Sequence, residues 1–118
     1  MAIPLETLRR PADFAALQQH GRSRAHPLVV VRAGHNGLDR TRYAFSTGRH
    51  LGGAVIRNRV RRRLREIVRA LAPRIAPGWD VLIVARPAAV AVRYDELRDA
   101  VLALLGRLGI LVAERCAG

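Results

Sequence analysis

The apolar positions change period along the chain, and the changes mark the elements. Leu28 to Arg32 is a continuous, valine-rich run and predicts a strand. Arg42 to Thr47 alternates loosely and predicts a second. Between them, Gly34 to Asp39 holds two glycines and an asparagine, a turn composition, so the two strands are expected to pair as a hairpin. Trp79 to Ala85 is the third run. Its unbroken Val81-Leu82-Ile83-Val84 suits an interior strand buried on both faces, and Pro87 ends it.

From Ala54 to Leu71 the period becomes helical. Val60, Leu64, Ile67, Val68 and Leu71 share one face until Pro73, Pro77 and Gly78 stop the helix. Tyr94 to Leu108 repeats the pattern through Leu97, Val101, Leu104, Leu105 and Leu108, with Gly109 placed as its C-cap. A short first helix is expected to begin at Pro11, to carry Asp13, Phe14, Leu17 and Gln18, and to end at Gly21. The order helix, strand, strand, helix, strand, helix defines an α+β class with one main sheet.

The 118 residues fit one domain, residues 1–118, and half of them are apolar, enough for a buried core. Only 4% are aromatic, so that core must be built from Leu, Val, Ile and Ala. Cys116 stands alone and can form neither an internal disulfide nor a metal site, which fits a reducing, cytoplasmic setting. Met1 to Arg10 lacks the apolar stretch of a signal peptide. The best candidate for a membrane span, Val101 to Val112, is interrupted by Arg107 and two glycines and falls short of the ~20 residues required.

Charge sharpens the picture. The formal net charge is +12, and all 21 basic residues are arginine. Such a balance on a small domain favours a polyanionic partner, and the guanidinium fork bonds phosphate bidentately. The charge concentrates in Arg57-Asn58-Arg59-Val60-Arg61-Arg62-Arg63-Leu64-Arg65-Glu66. On a helical wheel Asn58, Arg61, Arg62, Arg65 and Arg69 fall on one flank of the apolar stripe, and Arg59 and Arg63 on the other. Arginines four residues apart repel by a few tenths of a kcal/mol per pair, with only Glu66 nearby to compensate. A merely solvated face would mix signs; this one suits phosphates supplied from outside. A membrane-surface helix would need free aromatic residues on its apolar side, and here that side has none and is required for the core.

The preceding Gly48, Gly52 and Gly53, with Arg49, suit a phosphate cradle at a helix start and a plain connector equally well. No Lys-Ser or Lys-Thr follows, so no nucleotide-binding P-loop is expected. His20, His26 and His35 fall at turns or element ends and read as solvated surface groups, whereas His50 adjoins the basic segment and is placed to touch RNA. Asp80, Asp95, Glu96 and Asp99 raise the question of a metal cluster, but Asp95 and Glu96 more simply serve a helix start. Neither a catalytic residue nor a metal ligand is assigned within the chain.

The stretch Arg42-Tyr43-Ala44-Phe45-Ser46-Thr47-Gly48-Arg49-His50-Leu51-Gly52-Gly53, continuing through Arg57-Asn58-Arg59 to Leu64-Arg65-Glu66, resembles the signature of the bacterial ribonuclease P protein family. Leu8-Arg9, Asp13-Phe14, Gly21, Trp79-Asp80 and Ala85-Arg86-Pro87 match in order and spacing, so the resemblance runs from about Leu8 to Leu108. It implies a two-layer sandwich with a mixed sheet of about four strands and three helices, in the order α-β-β-β-α-β-α. It also implies a left-handed βαβ crossover from the Tyr43 strand through the Arg57 helix to the Val81 strand, against the usual hand, and a short strand around Arg22 to Ala25.

The resemblance implies a function as well: assistance to a catalytic RNA that removes the 5′ leader of precursor tRNA. The partners would be ribonuclease P RNA and precursor tRNA, the chain a monomer in a 1:1 complex, and Mg2+ held by the RNA subunit and substrate rather than by the protein. By position, Phe14, Ser46, Arg57, Asn58 and Arg65 would border a leader cleft. Arg49, His50, Arg59, Arg61, Arg62, Arg63 and Arg69 would face the RNA subunit. Phe45 reads as core. Gln18 and Val31 stand where the family often has aromatic residues, so fewer stacking platforms are expected, and His50 stands where it often has a second basic residue, so the charge there depends on pH. The alternatives are a ribosomal or RNA-chaperone protein of the same fold and a stand-alone metal-dependent nuclease.

Overall fold

The computed structural model describes residues 5–112, and Cys116 lies outside them. The elements are α1 (Pro11–His20), β1 (Arg22–Ala25), β2 (Val29–His35), β3 (Arg42–Ser46), α2 (Ala54–Leu71), β4 (Trp79–Ala85) and α3 (Tyr94–Arg107). Short 3₁₀ turns at Arg49–Leu51, Ala72–Arg74 and Pro87–Val90 join them. Both long helices fall where the apolar period places them, because an amphipathic stripe fixes a helix more firmly than any local propensity.

The sheet order is β1-β2-β4-β3. The expected hairpin between the second and third strands does not form: β4 lies between them, antiparallel to β2 and parallel to β3. The physical reason is in β4 itself, whose Val81, Ile83 and Ala85 are fully buried. A strand that apolar is stabilised most with a neighbour on each side. The segment after β2 therefore acts as a connection rather than a tight turn. Gly34, expected in that turn, continues β2 and pairs with Asp80.

Alternation divides the sheet cleanly. Val31, Ala33, Tyr43, Val81 and Ile83 point to one face, where Leu64, Ile67 and Val68 of α2 and Leu97, Val101 and Leu104 of α3 complete the main core. Burial pushes the Tyr43 phenol up to about 12, so it stays neutral there. Ala44 and Leu82 point to the opposite face, which α1 covers in part through Leu17 and Phe14, with Leu8 beside them. The N-terminal segment closes the outer edge of β3 at one point, where the Leu8 N–H donates to the Tyr43 carbonyl and the Tyr43 N–H to that of Glu6, both at 2.8 Å. The other edge strand, β1, is exposed along its length and carries Arg22 and Arg24, charges that discourage edge-to-edge pairing.

A candidate nucleic-acid interface

Helix α2 runs between the parallel strands β3 and β4, and its arginines divide into two rows. On one side the Arg61 guanidinium donates to the Thr47 hydroxyl at 2.6 Å and to the Asn58 side-chain oxygen at 3.1 Å. One turn on, the Arg65 guanidinium carbon stands 5.8 Å from the centre of the Phe45 ring, within cation–π range. On the other side Arg59 and Arg63 donate to the carbonyls of Val90 and Val92, at 3.3 and 3.1 Å, and so hold the loop before α3. Arg62 is exposed between the rows. Among the described residues no α2 arginine forms an ion pair; the pairs involve Arg40, Arg42, Arg93 and Arg98. Glu66, the expected compensation, takes no part in one. Among the described residues the like charges on α2 are thus left without ionic compensation.

The rows cut across the grouping that the resemblance implies. Arg61, grouped there with Arg59 and Arg63, is bonded instead to Asn58 and lies on the Arg65 side. Arg57 is half-buried, with its Nε shielded from solvent and without an acceptor; the Nε of Arg69 is in the same state. Arg49 and His50 are exposed in the 3₁₀ turn ahead of α2. The His50 ring lies over Gly48, where an added Cβ would come within 2.6 Å of it. Helix α2 starts at Gly53 with no side-chain cap and no acidic residue in its first turn, so the positive end of its dipole stays uncompensated by the chain.

On the face opposite α2 the sheet leaves a strip uncovered. Strand register places Ala25, Val30, Val84 and Ser46 in one row across all four strands. Ala25 and Ser46 are exposed and the two valines half-buried. The next row is Ser23, Arg32, Leu82 and Ala44, and α1 sits over its last two members. The result is a shallow groove with an apolar floor, α1 as one wall and Phe14 at its foot. Phe14 is half-buried against Ala44 and Leu82; Phe45 faces the main core, as expected.

The carboxylates do other work. Asp80 is buried, its Oδ1 accepting from Arg42 Nε (2.9 Å) and Asn36 Nδ2 (3.0 Å) and its Oδ2 from Arg42 Nη2 (2.8 Å). These bonds hold the Arg42 guanidinium above its ordinary range. Asp95 accepts from Arg93 at 3.0 Å and from the Glu96 N–H at 3.1 Å at the start of α3, and Asp99 pairs with Arg98 at 3.2 Å. Among the described residues no three His, Cys, Asp or Glu side chains come together to hold a metal ion. His35 stacks on Trp79 with centroids 3.9 Å apart. His26 is half-buried rather than fully solvated, because its Nδ1 accepts the Leu28 N–H at 3.1 Å. Thr47, Arg42 and Asn36 escape sequence reasoning; only their positions at strand ends hint at a role.

The described residues thus combine a strip of sheet left open beside α1 with two rows of arginines on α2 that have no ion-pair partners. The family model described as Ribonuclease P matches residues 4–109. The ribonuclease P protein component of Roseiflexus castenholzii is 40% identical over 105 residues, covering 88% of this chain and 86% of its own length. That of Symbiobacterium thermophilum is 42% identical over 108 residues, 91% of this chain and 94% of its own. The solved RNase P protein from Thermotoga maritima superposes with a TM-score of 0.79 at 31% identity, over 86% of this chain and 96% of that one. The chain belongs to the ribonuclease P protein family.

Proposed function

We propose that the chain serves ribonuclease P, a tRNA-processing endoribonuclease, as the subunit that holds RNA while a partner RNA cleaves. The observation that carries this reading is the pair of arginine rows on α2 without ion-pair partners among the described residues. Phosphate contacts supply affinity without reading sequence, which suits a subunit that must accept many precursor tRNAs. Phe14, Ser46, Arg57, Asn58 and Arg65 are assigned to the single-stranded 5′ leader, with Ser46 on the open strip. Arg49, His50, Arg59, Arg62, Arg63 and Arg69 are assigned to the catalytic RNA. Arg61, bonded to Asn58, joins the boundary between the two.

The chain's own carboxylates do not suit Mg2+, since Asp80, Asp95 and Asp99 are each engaged by an arginine. Hydrolysis and its Mg2+ are assigned to the RNA subunit and substrate, with one protein bound per RNA in the cytoplasm. Among the described residues no helix is long and apolar enough to cross a membrane.

The leader assignment is tested at Phe14. Phe14→Ala should weaken binding of precursor tRNA to the holoenzyme about tenfold, within the ~1–3 kcal/mol range of base–aromatic stacking, and leave mature tRNA within about twofold. Equal losses for both tRNAs, or a large fall in melting temperature, would make Phe14 a packing residue only.

A further inference from the structure

Arg32 is an arginine in the middle of a central strand. Its neighbours Val31 and Ala33 point into the main core, so its side chain emerges on the α1 face of the sheet. There it does not extend towards solvent. Its Nε donates to the Leu17 carbonyl at 2.8 Å and its Nη2 to the Gln18 carbonyl at 2.5 Å. Both carbonyls belong to the last turn of α1: that of Leu17 also accepts the Gly21 N–H at 2.9 Å, and that of Gln18 is among the acceptors that helix geometry leaves over at a C-terminus. A cation at that end also complements the helix dipole.

The same end of α1 is pressed against β2. A Cβ on Gly21 would collide with the Leu17 carbonyl oxygen and lie 3.2 Å from that of Ala33, and one on Gly34 would lie 3.3 Å from the Gly21 Cα. The other end of α1 is held by Asp13, which accepts from Arg42 at 3.2 Å. Between these clamps α1 has little of its own. It is 10 residues long and fully buries only Leu17, and helices of that length are marginal without tertiary support. Polar clamps, more than an apolar face, fix where α1 lies.

We propose that Arg32 is a positioning residue: by capping α1 it sets the wall of the groove, and through that wall the grip on the leader, without touching RNA. The inference rests on the leader reading above. The rival chemistry is a direct Arg32–phosphate contact, and lysine separates the two. Lysine keeps the charge but has no planar fork to span two carbonyls.

The test uses Arg32→Met and Arg32→Lys in two measurements. In amide exchange on the free protein, both variants should quicken exchange in α1 about tenfold while α2 and α3 stay protected. In the holoenzyme, both should bind precursor tRNA about fivefold more weakly and mature tRNA within about twofold, with the salt dependence unchanged. Unchanged exchange in α1 of Arg32→Met would overturn the proposal. So would full affinity in Arg32→Lys together with a log–log salt slope lowered by about one in Arg32→Met, the mark of a phosphate contact. If Arg32→Met does not fold, Gly21→Ala lifts the same helix end with Arg32 intact. It should show the same leader-specific loss, and a wild-type grip there would refute the idea. If the wild-type holoenzyme fails to distinguish precursor from mature tRNA, the leader reading falls, and the exchange measurement still decides whether Arg32 holds α1.

Discussion

Asp80→Ala is expected to destabilise the domain by about 3 kcal/mol, a drop of roughly 10 °C in melting temperature for a chain of this size. The carboxylate accepts three hydrogen bonds, two from Arg42 and one from Asn36. Removing it leaves the Arg42 guanidinium, whose side chain is only 18% exposed, with Asp13 as its single partner among the described residues. A mostly buried cation deprived of its main counter-ion is among the few changes that reach this size. The loss should also loosen α1, since Arg42 is what Asp13 binds. Asp99→Ala serves as the control: its carboxylate is exposed, and melting should move by less than about 2 °C. Thermal denaturation of the two variants checks both values, and an Asp80→Ala protein that melts like wild type would show that the network does not stabilise the fold.

The second large effect concerns charge. Replacing Arg61 and Arg65 together by alanine should flatten the log–log dependence of RNA affinity on salt by one to two units, since each phosphate that the protein neutralises adds about 0.7–0.9 to the slope. At 50 mM salt that corresponds to at least a tenfold loss of affinity, shrinking as salt rises. The bond from Arg61 to Thr47 and the stacking of Arg65 over Phe45 are the internal interactions given up. Arg65 is exposed and Arg61 half-buried, and neither belongs to the apolar core, so melting should change little beside the effect on binding. Titration of the protein with the catalytic RNA and precursor tRNA together, across a salt series, measures the slope, and an unchanged slope would take this row out of the interface.

What the sequence makes legible follows from where the information is local. The period of Val60, Leu64, Ile67, Val68 and Leu71 carries the whole of α2 and, with it, the division of the arginines into two rows. Strand pairing is not local. The runs at Leu28 to Arg32 and Arg42 to Thr47 look like hairpin partners until the more apolar β4 is placed between them. Strand β1, exposed at all four residues, has no apolar signature, and only the family resemblance implies it. The clamps on α1 are hidden for the same reason. Arg42 and Asp80 are separated by 38 positions, Arg32 and Leu17 by 15, and nothing in either local pattern joins them. The groove is a product of that long-range pairing, so Phe14 and Ser46 are placed by resemblance, whereas the basic helix is placed by physics.

Cleavage of precursor tRNA with and without the catalytic RNA tests the central claim most directly. The purified protein should leave precursor tRNA intact at any Mg2+ concentration, and adding the RNA should give one cut at the leader boundary. Asp95→Asn and Asp99→Asn should keep holoenzyme turnover within about threefold of wild type, because neither carboxylate is assigned a part in the reaction. Metal-dependent cleavage by the protein freed of RNA, abolished by either substitution, would contradict this assignment and move the chemistry into the chain.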